Sequence, residues 1–305
     1  DGGEEDAGDE EWDRIENVEL LSLEEAQSMA KAKGMKLPAD FVAEASHEGL
    51  RKLALTRYLR LMGGGAASLV SLSPAIRDRA IRDNRFMFKM IAEVIIDSSC
   101  ATIAEVRKRA DVFWEEFEFY LSDLIVGAVL DGLLVGMLAP AAVIGKAPRK
   151  VATKGAIGAI RRYTAALPSV ALEKSLPMLG RRYTVQQRVM SVVVKAAEYS
   201  LVGIACGAVG QGIANGILLT KRKIVKKDSG KEELAIPPVF RTALVWGLFM
   251  GVSSNLRYQV VYGCERAFEA TPIARKYRAV ANLFTLAIRF GNNVYGGEQF
   301  VDLAR

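Results

Sequence analysis

The stretch FYLSDLIVGAVLDGLLVGMLAPAAVIG, residues 119–145, decides the fold class. An apolar run at least as long as the roughly 20 residues that cross a hydrocarbon core predicts a membrane-spanning helix, because no soluble helix needs so long a run. Three further segments repeat the pattern. They lie near residues 196–220 (AAEYSLVGIACGAVGQGIANGILLT), 242–263 (TALVWGLFMGVSSNLRYQVVYG) and 279–295 (AVANLFTLAIRFGNNVY). The last is short and holds Arg289, so it is expected to be tilted, broken or shielded from lipid by neighbouring helices.

Composition agrees with spans separated by charged connections. Half of the residues are hydrophobic while a quarter are charged, and mean hydropathy lies slightly above zero. The expected architecture is therefore all-α, a multi-pass transmembrane helical bundle preceded by amphipathic helices. The net charge of +6 conceals an asymmetry, since DGGEEDAGDEEWD at the start is mostly acidic and the later connections are basic. Residues 1–19 read as an acidic disordered N-terminus with too little apolar surface to offset the entropy of ordering. Residues 20–74 read as an amphipathic helical region, and 75–305 as the membrane domain. The chain begins at Asp1, with no apolar signal or Arg/Ser-rich transit stretch ahead of it, and so reads as a processed form.

Local signals refine the N-terminal region. Ser22 followed by Glu25 is a capping box for a helix that runs to about Lys33 and ends at Gly34, and FVAEASHEGLRKLALTRYLRLM reads as one further amphipathic helix. Ser73 and Pro74 form an N-cap and first-turn pair. Phe86 to Ala104 is apolar apart from Lys89, Glu93 and Asp97, which share one helical face; it is either a polar-faced span or an interfacial helix. Residues 146–195 carry many Lys and Arg against the lone acid Glu173, which puts this loop on the stromal or cytoplasmic side. The next connection, KRKIVKKDSGKEELAIPP, is also basic, so either the Gly-rich second segment re-enters or an extra crossing lies near VATKGAIGAIRRYTAALPSVAL. Basic connections beside apolar spans predict membrane lipids as partners, anionic headgroups included.

Two residue sets are candidates for function. Small-xxx-small pairs, Gly132 with Gly136, Gly203 with Gly207, Gly212 with Gly216 and Gly247 with Gly251, permit close helix approach or homo-oligomer formation. With Gly210 added, the cluster from 203 to 216 also predicts a bent or partly unwound helix. Ionisable and amide groups at membrane depth form the second set: Glu93, Asp97, Asp123, Asp131, Glu198, Gln211, Asn215, Asn255, Arg257, Gln259, Arg289, Asn292 and Asn293. Each costs roughly 2.5–3.5 kcal/mol if left in hydrocarbon, so they must pair or line a wet path. Asp123 and Asp131 lie about 80° apart around a helix, near enough to face one cavity. Internal salt bridges, for example Asp131 with Arg257 or Arg289, and a transport path for a small-molecule solute both satisfy this requirement. An excess of acids in a path favours cationic solutes such as basic amino acids.

Covalent chemistry and cofactors have no support here. There is no GxSxG, Walker loop, GxGxxG or HExxH, the only histidine is His47, and Cys100, Cys206 and Cys264 are far apart with no CxxC. The chain is expected to be no enzyme and to bind neither cofactor nor metal. Nucleic acid is not an expected partner, since the basic residues flank spans and form no recognisable binding module.

RDNRFMFKMIAEVIIDSSCATIAEVRKRADVFWEEFEFYLSDLIVGAVLDGLLVGMLAP, YTVQQRV, GQGIAN, IPPVFRTALVWGLFMGVSSNLRYQVVYGCER and IRFGNNVYGGEQFVDLAR follow one another in order. Together they resemble the RETICULATA and RETICULATA-RELATED family over roughly residues 75–305. The resemblance implies a chloroplast protein of the envelope, in its inner membrane, required for leaf development and plastid amino-acid metabolism. It brings no established catalytic residues. The functions it leaves open are a solute carrier and a scaffold that organises envelope assemblies.

Overall fold

A computed structural model describes residues 18–114, 117–146, 155–173, 175–176, 181–224 and 238–304. The acidic start up to residue 17 and most of the basic 221–238 connection lie outside the described residues. The chain divides into two compact units that interleave in sequence, residues 1–89 with 136–191 and residues 90–135 with 192–305. Residues from 75 onward are thus distributed over both units.

In the first unit, α1 (Leu23–Ala32) starts at the expected capping box. The Ser22 hydroxyl accepts from the Glu25 N–H, and the Glu25 carboxylate accepts from the Ser22 N–H at 2.8 Å. The helix stops at Gly34 (φ +67°), where the Gly34 and Met35 N–H groups donate to the Lys31 and Ala30 carbonyls in a Schellman closure. The predicted second helix is instead two, α2 (Ala39–His47) and α3 (Lys52–Met62). Gly49 at φ +94° breaks it, a conformation that side chains resist, and the chain emerges as strand β2 (Leu50–Arg51), antiparallel to β1 (Leu20–Leu21). A short α4 (Ala67–Ser71) precedes α5 (Pro74–Arg82), whose N-cap is Ser73 as expected.

Phe41, Leu50, Leu55 and Ile81 are fully buried in this unit's core, with Ala142 and Ile144 packed against them. Each large side chain contributes about 1.5–3 kcal/mol by leaving water. The Arg51 Nε donates to the Gly145 carbonyl at 2.8 Å. Residues 139–145, predicted as the end of the first span, are therefore extended chain held to this core. Pro140 follows the helix end and cannot continue it. The unit also contains α8 (Gly155–Ala165), too short to be the extra crossing considered above, and the two-residue pairing of β3 (Ser175–Leu176) with β4 (Arg181–Arg182).

The second unit is drawn from long helices. These are α6 (Phe86–Arg109), α7 (Phe117–Leu138), α9 (Val185–Ile224), α10 (Val239–Leu248), α11 (Asn255–Glu269) and α13 (Arg278–Ala304), with the short α12 (Pro272–Lys276) before the last. Among the described residues two helices are long and apolar enough to cross a membrane, Phe117–Leu138 and Val185–Arg222. The segments predicted as third and fourth spans are helical but do not reach that standard of length and composition. The Gly-rich stretch of α9 is continuous helix and is not unwound. The irregularity falls instead on Phe249–Ser254, which is π-helical and joins α10 to α11.

Glycine spacing divides cleanly. A Cβ on Gly203 would stand 2.7 Å from the Trp246 carbonyl oxygen, and one on Gly251 would stand 2.9 Å from the Ala196 carbonyl oxygen. Gly207 and Gly247 are similarly crowded, by Trp246 and Ile204. These four glycines let α9 and the α10 to α11 run approach backbone to backbone. A Cβ added to Gly132, Gly136, Gly212 or Gly216 would meet nothing within 4 Å, so no close helix approach depends on these four.

Candidate functional site

The second unit buries polar groups on faces set by helical period. On α11, Asn255, Tyr258, Gln259, Tyr262 and Glu265 turn inward, while Leu256 and Val260 are exposed. On α13, Ala281, Thr285, Arg289 and Asn292 turn inward, and Leu283, Leu286, Phe290 and Val294 are exposed. The exposed stripes Ile91 and Ile95 of α6, and Leu121, Ile125, Val129 and Leu133 of α7, repeat the arrangement.

At the centre stands Arg289, 2% exposed, between Glu93 and Glu265, each wholly buried. Its Nε and Nη2 donate to the two Glu265 oxygens at 2.7 and 3.0 Å, and its Nη1 donates to Glu93 Oε2 at 2.6 Å. Glu93 Oε1 accepts two more bonds, from the Tyr258 hydroxyl at 2.6 Å and from Asn293 Nδ2 at 2.8 Å. Each carboxylate is thereby satisfied as an anion, the condition under which buried ions persist. This lock ties α6, α11 and α13 together. The Tyr199 hydroxyl of α9 is separately bonded to the Leu134 carbonyl at 2.7 Å.

Beside the lock, Asp97 of α6 faces the stretch of α7 that carries Asp131: a Cβ on Gly127, one turn before Asp131, would stand 3.9 Å from Asp97 Oδ2. Asp131 is 5% exposed, and no hydrogen-bond partner reaches its Oδ2. Neither suggested pairing of Asp131 with Arg257 or Arg289 forms. Arg289 is taken by the two glutamates, and Arg257 donates to the Asn292 carbonyl and Oδ1 at 3.0 and 2.8 Å and lies over the Phe249 ring.

The structure thus brings together Glu93, Asp97, Asp131, Arg257, Arg289, Asn292 and Asn293, but not the whole candidate set. Asp123 is exposed, with Glu105, Lys108 and Arg109 as its charged neighbours, so it does not share a cavity with Asp131. The two residues are eight apart, about 12 Å along the helix axis, and that separation outweighs their common face. Glu198 pairs with Lys195 one turn away at 2.7 Å. Gln211 donates to Asn215 at 2.8 Å and accepts from Thr242 at 3.2 Å. Asn255 donates to the Val192 carbonyl at 3.1 Å, a helix-to-helix bond. Sequence reasoning missed Tyr258 and Glu265. Glu265 follows the predicted span end at Gly263, yet it falls seven residues after Tyr258 and therefore on the same face once the helix continues to Glu269.

Among the described residues the fold is helical, with two helices long and apolar enough to cross a membrane and, in the second unit, buried ion pairs. The family described as Protein RETICULATA-related matches residues 78–264, which include Glu93, Asp97, Asp131 and Tyr258. Protein RETICULATA-RELATED 1, chloroplastic, of Arabidopsis thaliana is 44% identical over 288 residues, covering 94% of this chain and 65% of the relative. Protein RETICULATA, chloroplastic, of the same plant is 43% identical over 300 residues, covering 97% and 67%. Protein RETICULATA-RELATED 4, chloroplastic, is 28% identical over 284 residues, covering 92% and 71%. The chain belongs to the RETICULATA-related family, and the relatives' chloroplastic names support a plastid location. It spans about two thirds of the length of the first two of these relatives. No solved structure matches it.

Proposed function

We propose that the chain is an integral protein of the plastid inner envelope whose second unit forms a multi-pass helical bundle and carries a small solute, with basic amino acids as the preferred class. One observation carries this reading: aliphatic stripes face outward while Glu93, Glu265, Arg289 and Asp131 lie inside. In water that arrangement exposes the wrong surface; in lipid it is the expected one. The Arg289 lock is structural, which leaves Asp97 and Asp131 as the acidic groups free to meet a cationic solute. No reaction is assigned to the protein, and a requirement in leaf development follows from the family resemblance.

Uptake of labelled lysine, arginine and a neutral amino acid into liposomes holding the purified protein tests the proposal. Saturable uptake of the basic pair, abolished by Asp131→Asn and retained by Asp123→Asn, is the expected result. Absence of uptake by folded protein would refute it. A second reading, a membrane scaffold that self-associates, draws support from the open faces of Gly212 and Gly216. Under that reading Gly212→Leu with Gly216→Leu breaks an oligomer and leaves solute uptake unaffected.

A further inference from the structure

The interior of the second unit holds more acid than its bases neutralise by contact. Glu93 receives three donors and Glu265 a bidentate pair, so these two are complete as carboxylates. Asp131 and Asp97 are different. Asp97 Oδ2 lies 3.9 Å from where a Cβ on Gly127, one turn before Asp131, would stand, and Asp131 Oδ2 is buried with no donor. An ionised carboxylate only accepts, so two of them form no hydrogen bond unless one carries a proton. Like charges held side by side in a poorly solvated interior oppose each other's ionisation.

The surroundings relieve this only in part, through the charges of Arg257 near Asp97 and Arg289 near Asp131. The charged and titratable groups facing the pair are Glu93 and Cys100 on α6, Arg257 and Tyr258 on α11, and Arg289 on α13. Glu93 adds repulsion. The hydrogen bonds of both arginines point elsewhere, Arg289 to Glu93 and Glu265, and Arg257 to Ser253, Ser254 and Asn292. A hard metal cation would need several more oxygen ligands. Among the described residues no group of three or more His, Cys, Asp or Glu is placed to hold one.

We infer that Asp97 and Asp131 hold a single proton between them and form the proton-binding site of the second unit. This rests on the carrier reading in one respect, that the proton is the coupling ion for solute movement. Transfer of the proton to water leaves two facing carboxylates, a state that a cationic solute group would stabilise, so proton release and solute capture are linked at one place.

The site is tested first without transport, by infrared spectroscopy of the purified protein in lipid at neutral pH, in light and heavy water. The expected spectrum has a protonated carboxyl C=O band that shifts on deuteration and is lost in Asp97→Asn and in Asp131→Asn. Absence of the band from the unsubstituted protein, or its persistence in both variants, would overturn the proton site. Liposome uptake of labelled lysine with and without a proton gradient then tests coupling. Stimulation by the gradient supports it, and uptake indifferent to the gradient overturns it while the carrier reading survives. The band without any uptake by folded protein leaves the proton site standing and removes the carrier.

Discussion

Helix α3 of the first unit and helix α11 of the second use the same period to opposite ends. The former buries Ala54, Leu55, Tyr58 and Leu59, with Arg57 as one buried ion that donates to the Ile81 carbonyl, and exposes Lys52, Thr56 and Arg60. The latter buries Asn255, Tyr258, Gln259 and Glu265 and exposes Leu256 and Val260. The first arrangement is what the hydrophobic effect imposes on a helix beside water. The second is the arrangement expected under the proposed apolar surroundings, where exposed aliphatics cost little and buried ions must find one another. Amphipathicity locates a helix face; its sign relative to the interior reports the solvent.

Substitutions that sharpen this contrast span a wide range of effect. Arg289→Met leaves Glu93 and Glu265 buried without their cation, and a loss of about 3–5 kcal/mol is expected, read as a large drop in thermal stability in detergent. Leu55→Ala attacks the apolar core of the other unit and should cost about 3–4 kcal/mol by the same assay, with the lock untouched. Ile125→Lys puts a charge on an exposed aliphatic stripe and should disfavour membrane insertion by about 3 kcal/mol, measured by a glycosylation-based insertion assay. Thr56→Lys, equally exposed on α3, should change stability by less than about 0.5 kcal/mol. Equal effects of the two lysines would erase the proposed difference in surroundings.

A modest, pH-dependent effect is expected at the α1 capping box. Hydrogen bonds from the Ser22 main chain, and then its side chain, hold the Glu25 carboxyl below its usual range. A depressed carboxyl stabilises the fold above its unfolded pKa, and that contribution disappears as pH falls through the folded value. Ser22→Ala should therefore lower stability slightly at neutral pH and flatten its acid dependence, seen by thermal unfolding across pH.

Much of this was legible in residue order. Ser22 with Glu25 and Ser73 with Pro74 announced two helix starts, because caps are chemistry between near neighbours. The long apolar runs at α7 and α9 announced two candidate spans. Arg289 in an apolar segment announced that it needed shielding, and it is shielded. Its partners were hidden, since Glu93 lies 196 residues away in sequence and helical period cannot choose among distant acids. Gly49 was hidden for another reason: α2 and α3 have compatible apolar patterns, so only its positive φ and the pairing of Leu50 with Leu21 reveal the break. The glycine pairs looked alike as sequence, yet only those at 203, 207, 247 and 251 meet another helix, which depends on where the partner backbone runs.

The central claim is that the second unit sits in lipid with its ions inside. Spin labels placed singly at positions 125, 129, 256, 260, 283 and 290, in protein whose three cysteines are replaced and which is reconstituted in liposomes, measure it directly. High collision rates with dissolved oxygen and low rates with an aqueous nickel complex at these positions are the predicted result. Free access of the nickel complex along all of these stripes would contradict the account.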